Sequence, residues 1–162
     1  MNVTGPDFHM TDSLVLYKGN PFTGRGLEFH EVWGIIFEGN YLDGKKDGQW
    51  ISYSNGTVVH IITYKDGLES GLWQVNFSNG KPMVKGEFLN GLETGRWELY
   101  YENGQLTSYS TFKEGKRVGI REEFNRDGSP WFKKYYENGV EVSCEGDCNL
   151  EEKEWSGRVD IP

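Results

Sequence analysis

The chain has few of the residues that a disulfide-rich or metal-bound protein needs. It contains only two cysteines and three histidines among 162 residues. Cys144 and Cys148 are too few for a disulfide framework, and His9, His30 and His60 lie at no spacing that would complete a four-ligand zinc site. We therefore predict no metal and no cofactor. For the cysteine pair a single disulfide or two free thiols are favoured over a metal-bound pair, and the sequence does not decide among the three.

Long apolar runs and an excess of basic residues are also missing. Hydrophobic residues make up 36% of the chain, and the net charge is -8. No segment approaches the roughly 18 apolar residues of a membrane span, and residues 1–10 lack the basic start and apolar run of a secretory signal. Nucleic acid and anionic lipid both favour an excess of Lys and Arg. We expect a cytoplasmic protein that binds a partner protein with a basic surface, and neither nucleic acid nor membrane directly.

Catalytic patterns are absent from the sequence as well. There is no strained serine turn of the hydrolase type and no glycine-rich phosphate loop ahead of a helix. The carboxylates are spread along the chain, so spacing does not single out an acid and base pair. We predict that the protein is not an enzyme.

Glycine and aromatic residues, by contrast, are abundant and regularly placed. There are 22 glycines, and aromatic residues make up 15% of the chain. An acidic or amide residue followed by glycine recurs every eleven to thirteen residues: Asp43-Gly44, Asn55-Gly56, Asp66-Gly67, Asn79-Gly80, Asn90-Gly91, Asn103-Gly104, Glu114-Gly115, Asp127-Gly128 and Asn138-Gly139. Such dipeptides favour the type I′ turn that joins two antiparallel strands. The pattern predicts one strand per interval, folded back and forth.

A longer period of 24 residues contains two such intervals. Aromatic anchors recur at Tyr17, Tyr41, Tyr64, Phe88, Phe112 and Tyr136. A second series is predicted to open the alternate strand of each unit: Gly24, Gly48, Gly71, Gly95 and Gly119. One unit is a residue short between Gly48 and Gly56, which predicts a bulge or a shortened turn near residues 51–53.

The expected fold is all-β, a single-layer antiparallel meander of five to six hairpin repeats over residues 1–140. Residues 141–162 break the period and are predicted to form an acidic capping segment, with a short helix over residues 149–155.

The unit around Trp97 carries a family resemblance. The run Gly95-Arg96-Trp97, continuing through Asn103-Gly104 to Phe112 and Gly115, resembles the MORN-type repeat in the variant of the bacterial YwqK-family antitoxins. The likeness covers roughly residues 14–139. It implies an extended antiparallel meander that serves as an interaction scaffold. Arg121 and Gly26 stand where the family has Trp, which marks the outer units as caps or specialised surfaces.

Two groups of side chains are candidates for structure and for binding. We predict that one group forms a structural ladder along the repeats: Trp50, Trp73, Trp97, Tyr101, Tyr64, Phe88 and Phe112. The other group is out of phase with that ladder or acidic, and we predict that it contacts a partner: Tyr100, Tyr109, Trp131, Tyr135, Glu122, Glu123, Asp127 and Glu137. Aromatic residues are strong interface anchors, and ordinary exposed rings that shield the sheet are the alternative.

Two functions follow as hypotheses. The first is a non-catalytic scaffold that sequesters a partner protein on an aromatic and acidic sheet face, in an antitoxin-like or inhibitory role. The second is an acidic mimic of nucleic acid that inhibits a DNA- or RNA-binding protein, such as a viral inhibitor of a bacterial defence system. The mimic would use Glu122, Glu123, Asp127, Glu137 and Glu141, and high salt would release its partner.

Overall fold

Fourteen β-strands and no helix occur in the residues that the structure describes. The structure is a computed structural model, and it describes residues 6–11, 14–30 and 35–148. The strands are β1 (Phe8–Met10), β2 (Val15–Tyr17), β3 (Asn20–Pro21), β4 (Gly24–His30), β5 (Ile35–Leu42), β6 (Lys45–Ser54), β7 (Thr57–Lys65), β8 (Leu68–Asn76), β9 (Pro82–Leu89), β10 (Leu92–Tyr100), β11 (Leu106–Lys113), β12 (Lys116–Phe124), β13 (Pro130–Glu137) and β14 (Val140–Gly146).

The main sheet is an uninterrupted antiparallel meander. Strands β4 to β14 form one sheet of 11 strands in sequence order, each pairing only with its neighbours along the chain. Strands β1 to β3 form a second, 3-stranded sheet. The predicted all-β meander of hairpin repeats is confirmed.

The turns between strands are of two kinds, and the prediction of a single type was wrong. Both turn residues have positive φ in the two-residue turns, as at Asn90 (52°) and Gly91 (79°). In the turns at Asn79, Asn103 and Asp127 only the glycine has positive φ. There the loop has three residues: the Phe77 N–H donates to the Lys81 carbonyl, and the Gly80 N–H donates to the Phe77 carbonyl. This is a type I turn closed by a glycine bulge.

The short repeat has lost its residue from one of these three-residue loops. Ser54 pairs directly with Thr57 around Asn55-Gly56, so this unit has a two-residue turn where the next unit has residues 78–80. A bulge between Ser52 and Tyr53 is present as well, but a register shift recurs at the matching point of the next unit, between Val75 and Asn76. The deletion therefore shortens the turn and leaves the strand register intact.

The second glycine series was predicted to open strands, and this holds only for Gly24, the first residue of β4. Gly48, Gly71, Gly95 and Gly119 lie inside strands, so the prediction was wrong for them. Strand β10 begins at Leu92, and Gly95 is its fourth residue. The pairing of β10 with β9 shifts register between Thr94 and Glu98, and Gly95 has a φ of 66°. Glycine is needed there because the bulge places the backbone in the left-handed region.

Hydrogen bonds between successive two-residue turns join the repeats on the side of the sheet where these turns connect the strand ends. The Gly91 N–H donates to the Glu69 carbonyl at 2.8 Å, and the Gly115 N–H donates to the Glu93 carbonyl at 3.0 Å. The Gly44 N–H makes the same bond to Phe22, which follows β3. The N-terminal hairpin therefore stacks on the sheet as a repeat of its own, with Phe22 5.8 Å from the Tyr41 ring.

The core is a ladder of rings on one face of the sheet. Trp50 and Trp97 are fully buried and Trp73 nearly so. The Trp73 and Trp97 ring centroids lie 5.5 Å apart, and Phe88 meets Trp97 edge-on at 5.2 Å. Tyr64 and Phe112 pack against the ladder half-buried. Tyr101 follows the end of β10 and pairs with Gln105 across a turn, so it stands outside the ladder strand.

Glycine makes room for two of the tryptophans. A Cβ atom built on Gly86 would lie 2.1 Å from the Trp97 ring, and one on Gly39 would lie 2.4 Å from the Trp50 ring. No real Cβ atom approaches a ring so closely. Each indole ring therefore packs flat against a bare backbone segment, and the ladder depends on those glycines.

The C-terminal part of the described chain continues the sheet. Strand β14 pairs with β13 along its length, so residues 141–146 belong to the same sheet as residues 35–140. Cys144 and Cys148 form a disulfide, which answers the question that the sequence left open. The predicted helix over residues 149–155 lies outside the described residues.

Candidate interaction surfaces

The sheet has two faces, and strand register assigns each residue to one of them. We call the face that carries the tryptophans the ladder face and the other the open face. Direct cross-strand pairs form one continuous row across the open face from β4 to β14: Leu27, Glu38, Ile51, Ile61, Gln74, Lys85, Glu98, Tyr109, Glu122, Lys133 and Glu145. The row changes character along its length. It is largely aliphatic at the start and ionic at the end.

The aliphatic end of the open face is an exposed apolar patch on β4 to β7. We define the apolar patch as Leu27, Phe29, Ile36, Ile51, Tyr53 and Ile61. Phe29 is 60% exposed, Ile36 55% and Tyr53 46%, while the other three are half-buried. One ion pair stands beside the patch, Arg25 to Glu38 at 2.5 Å. Strands β5 to β7 therefore carry apolar side chains on both faces, whereas the ladder face of β4 holds Gly26, Glu28 and His30.

The ionic end of the open face is a network of tyrosines and charged side chains. Tyr109 donates its hydroxyl to Glu122 at 2.9 Å, and Glu122 pairs with Lys133 at 3.1 Å. The Arg96 guanidinium lies 3.8 Å from the centre of the Tyr109 ring and also pairs with Glu98 at 2.9 Å. These links run across four strands, so the network is continuous.

Tyrosine hydroxyls in this network are held as hydrogen-bond donors. Burial, helped by the hydrogen bond to Glu98 at 2.6 Å, raises the pKa of Tyr100 to about 12. Burial and the bond to Glu122 raise the pKa of Tyr109, and burial and the bond to Glu145 raise that of Tyr135. The hydrogen bond and charge of Glu122 raise the pKa of Lys133. At neutral pH the network therefore presents neutral phenols between fixed charges.

On the ladder face of the last four strands, charged side chains stand among the rings of Phe112, Phe132 and Tyr136. Arg121 stands where the earlier repeats have Trp, and its side chain is only 5% exposed. It forms an ion pair with Glu123, and Lys134 pairs with Glu141 at 3.0 Å. A cavity of about 100 Å³ opens beside Arg121, at the point where the stack of tryptophans stops at Trp97.

The structure brings together part of the predicted contact set. Tyr100, Tyr109, Tyr135 and Glu122 all belong to the open-face network. The remaining predicted contact residues lie elsewhere.

Glu123 lies on the ladder face beside Arg121. Asp127 and Glu137 lie at turns on opposite edges of the sheet, where Asp127 accepts hydrogen bonds from the Ser129 backbone N–H and hydroxyl that lower its pKa. Trp131 is the extra residue of a bulge between the pairs Glu123–Phe132 and Phe124–Pro130, and its ring contacts Phe132.

Sequence reasoning missed the apolar patch. The signal was present in segments that are apolar at consecutive positions, such as residues 35–37, 58–59 and 61–62, instead of alternating with polar residues. A strand with that pattern is apolar on both faces. The predicted contact set contains only aromatic and acidic residues, so it omits the isoleucines.

Comparison with known proteins supports the repeat. Residues 93–114 match the family model described as a MORN repeat variant. The match spans most of β10, all of β11 and the turn that follows, so it covers one unit around Trp97. No curated protein matches the chain. The MORN-type repeat is thus found in one unit.

Two further observations concern the described residues only. The described residues contain no helix that is long and apolar enough to cross a membrane. No group of three or more His, Cys, Asp or Glu side chains among them is placed to hold a metal ion.

Proposed function

We propose that the protein is a non-catalytic scaffold that binds a partner protein on the open face of its sheet, with the apolar patch as the anchor. The observation that carries this proposal is that β5 to β7 carry apolar side chains on both faces, and that Leu27 and Phe29 of β4 extend the exposed face. The ladder face of these strands is covered by its own rings. Exposed apolar clusters with aromatic members mark interaction sites in soluble proteins.

The partner that fits this surface has an apolar contact region bordered by basic residues. The chain carries a net charge of -8, so long-range attraction favours a basic partner. The open-face network lies on the same face, beyond β8 and β9, and offers hydroxyls and carboxylates for polar contacts. An antitoxin-like or inhibitory role in the cytoplasm is the finer form of the proposal, and the MORN-type repeat at residues 93–114 supports it as a scaffold.

The nucleic-acid mimic is the less favoured alternative. Its five acidic residues would have to line one surface. Glu122 lies on the open face, Glu123 and Glu141 pair with cations of the ladder face, and Asp127 and Glu137 lie at opposite edges. A mimic needs a row of negative charge, so this arrangement favours the scaffold.

Binding by matched variants tests the proposal. Ile36→Glu places a charge in the patch, and Val142→Glu places one on an equally apolar residue at the far end of the sheet, where exposure is 53% against 55% at Ile36. The purified full chain is used to capture proteins from native lysate. We expect the captured protein to be lost with Ile36→Glu and kept with Val142→Glu, at low and high salt alike.

Three results would overturn this account. They are equal capture by both variants, no capture by the unaltered chain, and capture that disappears at high salt. The last result would favour the mimic. Thermal unfolding of both variants serves as the control for folding.

A further inference from the structure

We infer that the gap in the tryptophan ladder is a binding site for an aliphatic carboxylate. This site lies on the ladder face, and it does not depend on the proposed function of the open face. The cavity of about 100 Å³ is lined by Trp97 and Leu99 on one side and by Arg117 and Arg121 on the other. It is open to solvent on part of its surface.

The gap exists because one repeat departs from the others. In the preceding unit Trp97 packs flat on Gly86 and fills the space above it. One repeat later, Arg121 stands in place of the tryptophan and pairs across the sheet with Ser110, which stands in place of the glycine. The Arg121 guanidinium pairs with Glu123, two residues along the same strand, and does not cover Ser110. The space that a fourth indole ring would occupy is thus left open.

The charge around the gap selects for an anion. The gap is lined by the guanidinium groups of Arg117 and Arg121 and by the carboxylate of Glu123. Its walls therefore carry a net positive charge, although the whole chain has a net charge of -8. A guanidinium has five N–H donors and a planar shape that suits carboxylates. Ser108 and Ser110 add hydroxyl donors to the same wall.

The apolar wall determines which group the carboxylate of the ligand should carry. Trp97 and Leu99 present ring and methyl surface that favours a short hydrocarbon segment. The volume exceeds what one water molecule needs, and it is smaller than the roughly 150 Å³ of a cavity that takes benzene. A carboxylate on two to four carbons fits both the size and the charge. Such a group can come from a free acid or from a glutamate side chain of a partner.

Titration by nuclear magnetic resonance tests this site on the full chain. The indole N–H signal of Trp97 is followed while butyrate is added, with butyramide as the neutral control of the same size. We expect butyrate to shift the signal in a saturable way and butyramide to bind roughly tenfold more weakly, because it lacks the charge-assisted hydrogen bond. A parallel titration with acetyl-Gly-Glu-Gly-amide, against its Gln counterpart, separates a partner's side chain from a free acid.

Two variants fill the gap by different routes. Arg121→Trp restores the ladder, and we expect it to raise the melting temperature and to abolish the shift. Ser110→Val narrows the cavity and keeps every charge, so we expect it to abolish the shift as well. If Arg121→Trp does not fold, Ser110→Val still tests whether binding requires the open cavity. Lys116→Gln removes an exposed positive charge from the same strand and should leave binding unchanged.

Three outcomes would overturn the assignment. One is the absence of a saturable shift with both butyrate and the Glu peptide. Another is equal affinity for acid and amide. The third is unchanged binding in a folded Ser110→Val or Arg121→Trp chain.

Discussion

The two halves of the main sheet have the same backbone arrangement and differ in the side chains that cover its two faces. We call β4 to β10 the aromatic half and β11 to β14 the charged half. The ladder face of the aromatic half carries Trp50, Trp73 and Trp97, whereas the charged half has Arg121 at the corresponding position and Lys134 paired with it on the next strand. On the open face, the apolar patch gives way to the ionic network.

The turn geometry does not change between the halves. The Gly67 N–H donates to the Lys46 carbonyl in the aromatic half, and the Gly139 N–H donates to the Arg117 carbonyl in the charged half, both at 2.9 Å. The positive φ of the two-residue turns also continues, at Asp66 and at Asn138. Turn chemistry and cross-turn hydrogen bonds therefore set the meander. The side chains between them determine stability and binding.

The largest expected difference between the halves concerns the residue beneath each ring. Gly86→Ala would place a methyl group inside the Trp97 ring, and Ser110→Ala is the matched change one repeat later. We expect Gly86→Ala to lower the free energy of unfolding by about 3 kcal/mol, because a buried ring cannot move aside. Ser110→Ala should cost less than about 1 kcal/mol. Urea denaturation measures both, and equal losses would contradict the comparison.

The next effect depends on pH and concerns the polar pair inside the aromatic half. Ser52 and His60 form a buried hydrogen bond at 2.9 Å, where the next repeat has Val75 and Val84. Burial, with His30 as a lesser cause, lowers the pKa of His60 to about 4. The unfolded chain binds this proton below about pH 6.5, so stability is complete above that pH and falls as pH drops towards 4.

We expect this loss to be on the order of 2–3 kcal/mol, measured by urea denaturation across that pH range. The double variant Ser52→Val with His60→Val copies the next repeat and should remove most of the dependence. An undiminished slope in the double variant would assign the pH effect to other groups.

A smaller effect is expected for an ion pair of the charged half. The Lys134 side chain is 8% exposed and pairs with Glu141. Glu141→Gln removes the negative charge that compensates the buried Lys134 ammonium. We therefore expect the free energy of unfolding to fall by about 1–2 kcal/mol. Adding Lys134→Met should restore most of it, because the buried charge is then gone. If the double variant is less stable than Glu141→Gln alone, the pair contributes more than its replacement by apolar packing.

The smallest effect concerns turn residues at equivalent places in the two halves. Glu114 has a φ of 51° in the charged half, where Asn90 has 52° in the aromatic half. Asparagine tolerates this conformation better than glutamate. We expect Glu114→Asn to raise the free energy of unfolding by about 0.5 kcal/mol and Asn90→Glu to lower it by a similar amount. Changes of the same sign would show that the turns differ in more than the residue.

The sequence was sufficient for the meander and for part of the surface. Acidic or amide residues before glycine have a local effect on the backbone, so the hairpins and their order could be predicted from them. The two turn types could not be separated, because Asn79-Gly80 and Asn90-Gly91 are the same dipeptide in loops of different length. The place of Gly95 inside β10 depends on pairing with β9, which spacing along the chain does not show.

The candidate surface was predicted less well for a similar reason. Alternation along a strand placed Tyr100, Tyr109 and Tyr135 on one face correctly. It does not assign Trp131 to a face, because a bulge in β13 makes that residue the extra one between two cross-strand pairs. The apolar patch is assembled from strands that are separate in sequence, so the cluster became visible only once cross-strand register was known.

Photo-crosslinking from the patch tests the central claim most directly. Benzoylphenylalanine is placed at Ile36 in one chain and at Val142 in another, and each full chain is irradiated in native lysate. We predict one discrete adduct with another protein at position 36 and none at position 142. The same adducts at both positions, no adduct at position 36, or only an adduct of twice the chain's own mass would contradict the account.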